Sequence, residues 1–386
     1  MPHIGAASIR RLCTAAISIS KAKSQLRREF DPDKALEIYS SLSKHYSSPV
    51  TSRYAQDLTV RRLAKSRRFP DIVKLLESQK SDPNITQEPF LSTLIRSYGV
   101  AGMFDNALST YHQMDTLGTP RTSLSFNALL SSCILSGLFD KVPELFHQIP
   151  SQYDVVPDHV SYGILAKSFC QVGQPDKALQ ALKQAQAQAQ NGVEITAVSY
   201  TTVLDALYKQ GKNDEAEELW RLMKEKGCVD VTAFNVRIKH VSGGKPEEVK
   251  AVIDEMVETG LVPDTISYNF LMTCYLRCGM VKEGMGVYDG LRGKACRPNA
   301  ATFRTSVFYL CRNEEFEEGY RVFQESVKLH KIPDFNTTKM LVEGLVKKGN
   351  KEEAKELVRI VKNKFPRNVL KAWSKVEESL NLAEAS

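Results

Sequence analysis

The stretch VPDTISYN, residues 262–269, recurs in altered form as VPDHVSYG at residues 156–163. Copies of its second half follow one another along the chain as FLSTLI, SFNALL, SYGILA, SYTTVL, AFNVRI, SYNFLM, TFRTSV and TTKMLV. The residue after the aromatic, or its aligned equivalent, recurs at spacings of 35, 36, 38, 34, 34, 35 and 35 residues. A fixed period of this length is typical of proteins built from stacked repeats.

Each copy predicts two helices. In residues 267–299, the apolar residues of YNFLMTCYL and of VKEGMGVYDGL recur every three to four positions, as in amphipathic helices. A glycine ends the first helix at Gly102, Gly137, Gly173, Gly211 and Gly279. An aspartate begins the second at Asp105, Asp140, Asp176 and Asp214, where a carboxylate can cap free N–H groups and suits the helix dipole.

A second anchor recurs with the same step, and most of its residues are small: Ala107, Val142, Ala178, Ala216, Val249, Gly284, Gly319 and Ala354. Such residues allow neighbouring helices to approach closely. A unit of about 35 residues cannot bury its own apolar face, so successive units must stack into a superhelix. The sequence therefore predicts an all-α solenoid of helix–turn–helix repeats.

Composition and charge exclude some classes of protein. No apolar run approaches the roughly 18 residues of a membrane-spanning helix, so no membrane insertion is expected. The eight cysteines are scattered, which favours free thiols in a reducing compartment. The net charge is +7, but residues 1–30 hold six Lys or Arg and one acid and thus contribute +5 of it. A nucleic-acid surface must therefore come from local placement of charge.

Residues 1–30 are basic, rich in Ser and Thr, and carry no acid before Glu29, which predicts an organelle transit peptide. The pair Arg10 and Arg11 favours the mitochondrion (matrix) over the plastid, and a disordered basic tail is the alternative. We expect degenerate repeats in 31–87, eight repeats in 88–369 and a capping helix or tail in 370–386.

These repeats resemble the pentatricopeptide repeat (PPR) family, P-type subclass, because an aromatic–Asn lies in the first helix and Pro-Asp lies at the junction of units. The resemblance implies a right-handed superhelix that binds RNA in organelles, with about one base per repeat recognised by two or three side chains. It also implies that the residue after the aromatic pairs with the last residue of the unit. The pairs are Asn127 with Asp158, Thr201 with Asp230, Asn235 with Asp264, and Asn269 with Asn299.

By the family code, these pairs imply U, G, U and a pyrimidine, so the core target is U-x-G-U-Y, where Gly163 leaves the gap. Ser92, Arg304 and Lys339 depart from the pattern. The family also sandwiches bases with the residue two before the aromatic, here Leu124, Val160, Val198 and Ile266, with Thr232 as a polar exception. Ordinary packing at a helix start is the alternative for these residues.

Basic residues recur late in the first helix at Lys209, Arg277, Arg312 and Lys347, and we expect them to contact successive phosphates. A solvated charge at each helix end is the alternative. Catalytic and metal signatures are missing: Cys274 and Cys278 lack a second ligand pair, and SGGKPEEV (242–249) has the wrong spacing for a phosphate loop. We expect no enzyme activity, cofactor or small-molecule substrate. The run ALQALKQAQAQAQNG (178–192) predicts an extended second helix.

Three functions remain open. The first is an RNA-binding adaptor, acting either as an rRNA-binding component of the mitochondrial ribosome, in contact with ribosomal proteins, or as a factor for one mRNA. The second is a protein-binding scaffold, because tetratricopeptide arrays share the helix-pair architecture. The third is a nuclease, for which the sequence offers no acidic cluster.

Overall fold

The computed structural model describes residues 17–42, 49–187, 195–364 and 367–382. Within these ranges the regular structure is helical, apart from one isolated bridge between Ile17 and Leu42. The predicted all-α repeat fold is thus confirmed. The chain divides into two compact units, which meet in sequence between Gln210 and Gly211.

The first unit contains eleven α-helices in its described part. They are α1 (Ile19–Arg28), α2 (Pro32–Ser40), α3 (Pro49–Lys65), α4 (Phe69–Gln79), α5 (Glu88–Val100), α6 (Phe104–His112), α7 (Ser123–Leu135), α8 (Lys141–Tyr153), α9 (His159–Gln171), α10 (Pro175–Ala187) and α11 (Ala197–Lys209). A 3₁₀ turn at Pro83–Thr86 precedes α5.

The second unit contains ten α-helices in its described part. They are α12 (Asn213–Glu225), α13 (Val231–Val241), α14 (Pro246–Glu258), α15 (Thr265–Arg277), α16 (Val281–Gly290), α17 (Ala300–Arg312), α18 (Phe316–Lys328), α19 (Phe335–Lys347), α20 (Lys351–Lys364) and α21 (Arg367–Ser379). The odd-numbered helices from α5 to α19 are the first helices of the predicted repeats, and the even-numbered helices from α6 to α20 are the second.

First helices stack on one another within each unit. In the first unit α5 packs on α7, α7 on α9 and α9 on α11, and in the second unit α13, α15, α17 and α19 pack in the same order. The recurring anchor residues are buried, which agrees with the predicted close approach of neighbouring helices. At Gly344 a Cβ would lie only 1.9 Å from Cε1 of Phe316, so the absence of a side chain there allows α18 and α19 to pack closely.

Glycine ends the first helices for a conformational reason. Gly102, Gly137, Gly173, Gly211 and Gly279 all have φ between +71° and +76°, in the left-handed region that favours glycine. The predicted helix ends are therefore confirmed. Capping by aspartate at the second helices is wrong in detail, because the N-cap of α12 is Lys212 and the Asp140 side chain accepts no capping hydrogen bond. Asp105 and Asp214 lie in the first turn, where they favour the helix dipole.

Two of the predicted segments lie partly outside the residues that the structure describes. Residues 1–16 of the predicted targeting segment, and 188–192 of the predicted extended helix, lie outside the described residues. The rest of the targeting segment includes α1, whose Ala22 and Leu26 are fully buried, and Arg62 of α3 donates to the backbone of Leu26 and Glu29. The domain boundaries stay predictions. Within the described residues, no helix has the length and apolar composition to cross a membrane.

Candidate nucleic-acid interface

In most of the repeats, the side chain of the last residue caps the first helix of the next repeat. Asp158 is the N-cap of α9, where its Oδ1 accepts from the backbone N of Ser161 at 2.9 Å, and the Ser161 Oγ accepts from the backbone N of Asp158 at 3.1 Å. This is a capping box, which satisfies backbone donors that the helix leaves free. Asp264 at α15 and Asn299 at α17 form capping boxes of the same kind.

The predicted partner of Asp158 lies against this cap. The Asn127 Nδ2 donates to Asp158 Oδ1 at 3.0 Å, and the Ser161 Oγ donates to Asn127 Oδ1 at 2.6 Å. Together with the bond from the Asp158 backbone to Ser161, these contacts close a ring of hydrogen bonds, which we call the Asn–Asp–hydroxyl ring. The structure thus brings the predicted pair together.

The second unit repeats this geometry. The Asn235 Nδ2 donates to Asp264 Oδ1 at 3.1 Å, and the Ser267 Oγ donates to Asn235 Oδ1 at 2.7 Å. Asn235 is 8% exposed, so only a narrow edge of its amide is open to a ligand. Each ring leaves one Nδ2 hydrogen and one lone pair of Oδ1 without a partner in the ring.

The side-chain amide of Asn269 is hydrogen-bonded through its oxygen. Its Oδ1 accepts from Thr302 Oγ1 at 2.8 Å, and Asn299 caps α17 through the backbone N of Thr302 at 3.0 Å. Asn299 is an amide where the other rings have a carboxylate, and the described contacts include no bond from Asn269 Nδ2 to it. The orientation of this amide is therefore less constrained.

The Asp158 carboxylate is stabilised in its charged form. Burial opposes ionisation, but hydrogen bonds from Asn127 and from the Ser161 backbone outweigh burial and lower the pKa of Asp158 below its ordinary value. A carboxylate at physiological pH is an acceptor only, so it fixes which end of the Asn127 amide faces it.

Other predicted recognition positions lack this arrangement. Thr201 lies in the first unit with its Oγ1 buried and without a hydrogen-bond partner, whereas Asp230 caps α13 in the second unit through the backbone N of Ala233. Near Ser92, the buried Glu88 accepts from the backbone and hydroxyl of Thr122. Glu88 also accepts from the backbone N of Ser125, which is the contact that aspartate makes in the capping boxes, while the Thr122 side chain caps α7 through the backbone N of Leu124.

The predicted base-sandwiching residues lie in the first turn of their helices and are open to solvent. Leu124 is 45% exposed, Val160 43%, Val198 69% and Ile266 47%, while Thr232 is also exposed. These side chains are therefore accessible to a ligand, and their contact with bases stays a prediction.

The predicted phosphate contacts all lie at the last residue of a first helix. Lys209 pairs with Asp205 at 2.5 Å, the Arg277 Nη2 donates to the Gly244 carbonyl at 2.8 Å, and Lys347 pairs with Glu314 at 3.0 Å. Arg312 lies 6.0 Å from the centre of the Phe308 ring. All four are exposed, but each also contacts its own chain, so a phosphate would compete with these partners.

Two sets of residues were missed by the sequence analysis. One set is the hydroxyl residues Ser161, Ser267 and Thr302, which bind the asparagine of the preceding repeat. Each stands directly before the aromatic residue of its own repeat, so the alignment of the repeats could have identified them.

The other missed set is on α3 and α5, where Arg96 pairs with the half-buried Asp57 at 3.9 Å. Burial raises the pKa of Asp57 against the opposing charges of Arg96, Arg53 and Arg61. Asp57 lies 35 residues before Ser92, so it could have been found by extending the repeat period into the degenerate repeats of residues 31–87. The three arginines around one carboxylate leave an excess of positive charge at this place.

A metal site is absent from the part of the chain that the structure describes. No group of three or more His, Cys, Asp or Glu there could hold a metal ion. Cys274 is buried and Cys278 is exposed, and burial raises the pKa of Cys274. Within SGGKPEEV, residues 242–245 form the turn before α14, which begins at Pro246.

Comparison with known proteins identifies the same repeats in the sequence. The model of the PPR repeat family matches residues 195–242 and 263–308, and the model of the PPR repeat matches 91–119, 124–152 and 160–187. The small ribosomal subunit protein mL103 (rPPR7) of Arabidopsis thaliana is 56% identical over 95% of this chain and 89% of its own length. A mitochondrial pentatricopeptide repeat-containing protein of the same plant is 52% identical over 95% of this chain and 87% of its own length.

Among solved structures, that of the maize pentatricopeptide repeat protein PPR10 is 18% identical with a TM-score of 0.48. The match covers 94% of this chain and 59% of that protein, so the present chain spans about three fifths of its length. The curated relatives confirm the predicted mitochondrial localisation.

Proposed function

Because this chain belongs to the pentatricopeptide repeat family, we propose that it binds RNA in mitochondria as a non-catalytic component of the mitochondrial ribosome. The ribosomal role is supported by the similarity to a relative named as a small ribosomal subunit protein, which extends over 95% of this chain. This role requires neither a metal nor a cofactor.

The observation that carries RNA binding is the recurrence of the Asn–Asp–hydroxyl ring in both units. Asn127 and Asn235 each keep a free amide donor at the start of a first helix. The exposed apolar residues Val160 and Ile266 lie at the start of the next first helices, α9 and α15, each directly before the hydroxyl residue of a ring. Hydrogen-bonding groups that alternate with apolar surfaces suit unstacked bases of single-stranded RNA.

A second candidate function is binding to one particular mRNA. The pairs at Asn127, Thr201, Asn235 and Asn269 favour the order U-x-G-U-Y, and the two complete rings support selection for a base at Asn127 and Asn235. A protein that bound rRNA only by its shape would not need such rings.

Ultraviolet crosslinking of the tagged protein in isolated mitochondria, followed by sequencing of the attached RNA, tests both functions. We expect a dominant rRNA peak, which the double variant Asn127→Ala with Asn235→Ala should weaken. The matched control is Asn213→Ala with Asn363→Ala, which alters exposed asparagines on second helices. A single mRNA footprint containing U-x-G-U-Y would replace the ribosomal role by the second candidate, and no RNA above background would overturn RNA binding.

A further inference from the structure

A hydroxyl follows each recognition asparagine in the repeat register. Ser161 follows Asn127, Ser267 follows Asn235, and Thr302 follows Asn269, always at the residue before the next aromatic. From SFNALL to TTKMLV, the single copy without a hydroxyl there is AFNVRI, which comes after a threonine rather than an asparagine. Hydroxyls also follow Ser92, Gly163 and Arg304, so the hydroxyl belongs to the helix start of most repeats, and its contact with an amide is an additional role in the repeats that follow an asparagine.

The hydrogen of this hydroxyl points to the asparagine. The backbone N of Asp264 donates to the Ser267 Oγ at 3.2 Å, so Ser267 must donate elsewhere. Its Oγ lies 2.7 Å from Asn235 Oδ1 and 3.2 Å from Asp264 Oδ1, and the shorter contact is the stronger bond. At Ser161 the corresponding distances are 2.6 and 3.1 Å. Both serines are fully buried.

Two anchors therefore fix each amide. The carboxylate can only accept, so it holds Nδ2, and the serine hydroxyl donates, so it holds Oδ1. A flipped amide would bring its oxygen against the carboxylate and its NH₂ against a hydroxyl that already accepts from the backbone. The remaining Nδ2 hydrogen and the remaining Oδ1 lone pair consequently keep fixed positions, and the Nδ2 hydrogen is the donor that the amide offers to a base.

The direction of this donor distinguishes two pyrimidines. Uracil carries the O4 acceptor at the edge position where cytosine carries the N4 donor. We propose that Ser161 and Ser267 are positioning residues for base recognition, because their hydroxyls hold the Asn127 and Asn235 amides in the orientation that selects uracil over cytosine. This inference rests on the proposed RNA-binding function.

Short synthetic single-stranded RNAs test the inference with the full chain. Each RNA contains U-A-G-U-C between adenosine flanks, and the fourth core base is either U or C. We expect Ser267→Ala to reduce the ratio of the two affinities about three- to tenfold, as befits one buried hydrogen bond. Ser267→Thr should keep the ratio, because Thr302 performs the same contact in its own repeat.

Matched controls separate positioning from stability. Ser306 is also fully buried and donates to the Thr302 carbonyl at 2.8 Å, so Ser306→Ala removes a buried hydrogen bond that does not reach the amide. It should leave the ratio unchanged. Ser161→Ala, measured with U or C at the first core base, tests the same relationship in the other unit and does not depend on the folding of Ser267→Ala.

The outcomes are distinguishable. Equal weakening of both RNAs by Ser267→Ala and by Ser161→Ala, at an unchanged ratio, would make both serines helix caps only and overturn the inference. A wild-type protein that binds neither RNA would overturn the proposed function and the inference with it. A wild-type preference for U that the serine variants lose and Ser267→Thr retains supports both.

Discussion

The Ser267 hydroxyl donates a 2.7 Å hydrogen bond to Asn235, 32 residues away, across the boundary between two repeats. The same bond joins Ser161 to Asn127 at 2.6 Å in the other unit. The rings at Asn127 and Asn235 thus have the same geometry, because in each unit the same residue types occupy equivalent positions on two stacked first helices. Repetition of the ring is what allows predictions to be transferred between repeats.

Changing the amide should change the base. In Asn235→Thr the recognition pair becomes Thr with Asp264, as at Thr201 with Asp230, so the preferred fourth core base should shift from U toward G. One hydrogen bond of about 1 kcal/mol corresponds to roughly a fivefold change in preference. Binding to RNAs that differ only at this base measures it. Asn235→Ala should lose the U preference without gaining G, and a Thr variant that still prefers U would contradict the assignment.

Removing an exposed apolar side chain should weaken RNA binding without loss of stability. Val198 is 69% exposed, so Val198→Ala should leave the melting temperature nearly unchanged but cost about 1 kcal/mol of affinity, roughly fivefold, if a base covers it. Val257 on α14 is 54% exposed and lies on a second helix, so Val257→Ala is the control. Equal affinities for the two variants would refute base contact at Val198.

Neutralising the basic helix ends should weaken all RNAs alike. The triple variant Arg277→Gln, Arg312→Gln and Lys347→Gln removes up to three phosphate contacts, so the slope of log affinity against log salt should flatten by about 2. Titrations at several salt concentrations measure this. The charge-matched control changes three exposed lysines to Gln: Lys226 at the C-cap of α12, Lys250 on α14 and Lys282 on α16. An equal loss of slope in this control would show that only net charge matters.

The Asp158 cap should persist into moderately acidic solution. Because the folded-state pKa lies below the ordinary value of about 3.9, the stabilisation is fully present above that value and is lost as pH falls through the lower, folded-state pKa. A carbon-13 NMR titration of the Asp158 carboxyl group should give a midpoint below 3.9. In Asn127→Ala the midpoint should rise, since a hydrogen bond to the charged form is lost. An unchanged midpoint would contradict the ring.

Close packing at Gly344 should make it intolerant of a side chain. Gly344→Ala places a Cβ against the Phe316 ring, so we expect a loss of about 1–3 kcal/mol in thermal or chemical unfolding. Gly286, within α16, has open space around it, so Gly286→Ala should stabilise the helix by about 0.5–1 kcal/mol. A Gly344→Ala variant as stable as wild type would mean that α18 and α19 separate easily.

Most of the fold could be predicted because its signals are local. The apolar period located the helices, and the glycines at residues such as Gly137 and Gly279 located the ends of first helices. The aspartates were less informative, since Asp105 and Asp214 lie in a first turn whereas Asp140 precedes its helix. Composition alone does not separate these positions, because a carboxylate favours the helix dipole at each of them.

The candidate site could be predicted only in part. Its asparagines and aspartates follow from the repeat register, and the structure brings Asn127 to Asp158 and Asn235 to Asp264. The intramolecular partners of the basic residues, such as Glu314 for Lys347, were not predicted. They depend on which side chains of different helices come within about 4 Å, a distance that sequence spacing does not specify.

The sequence by itself determined the period, the helix pairs and the positions that must be small, because backbone conformation and apolar phase are set within a few residues. Only the tertiary structure decided how each amide is held. The ring at Asn235 joins residues that are 29 and 32 positions apart, and its hydrogen bonds form because stacking brings the start of α15 beside α13. A hydrogen bond requires a defined distance and angle, and only the packing of adjacent repeats supplies both.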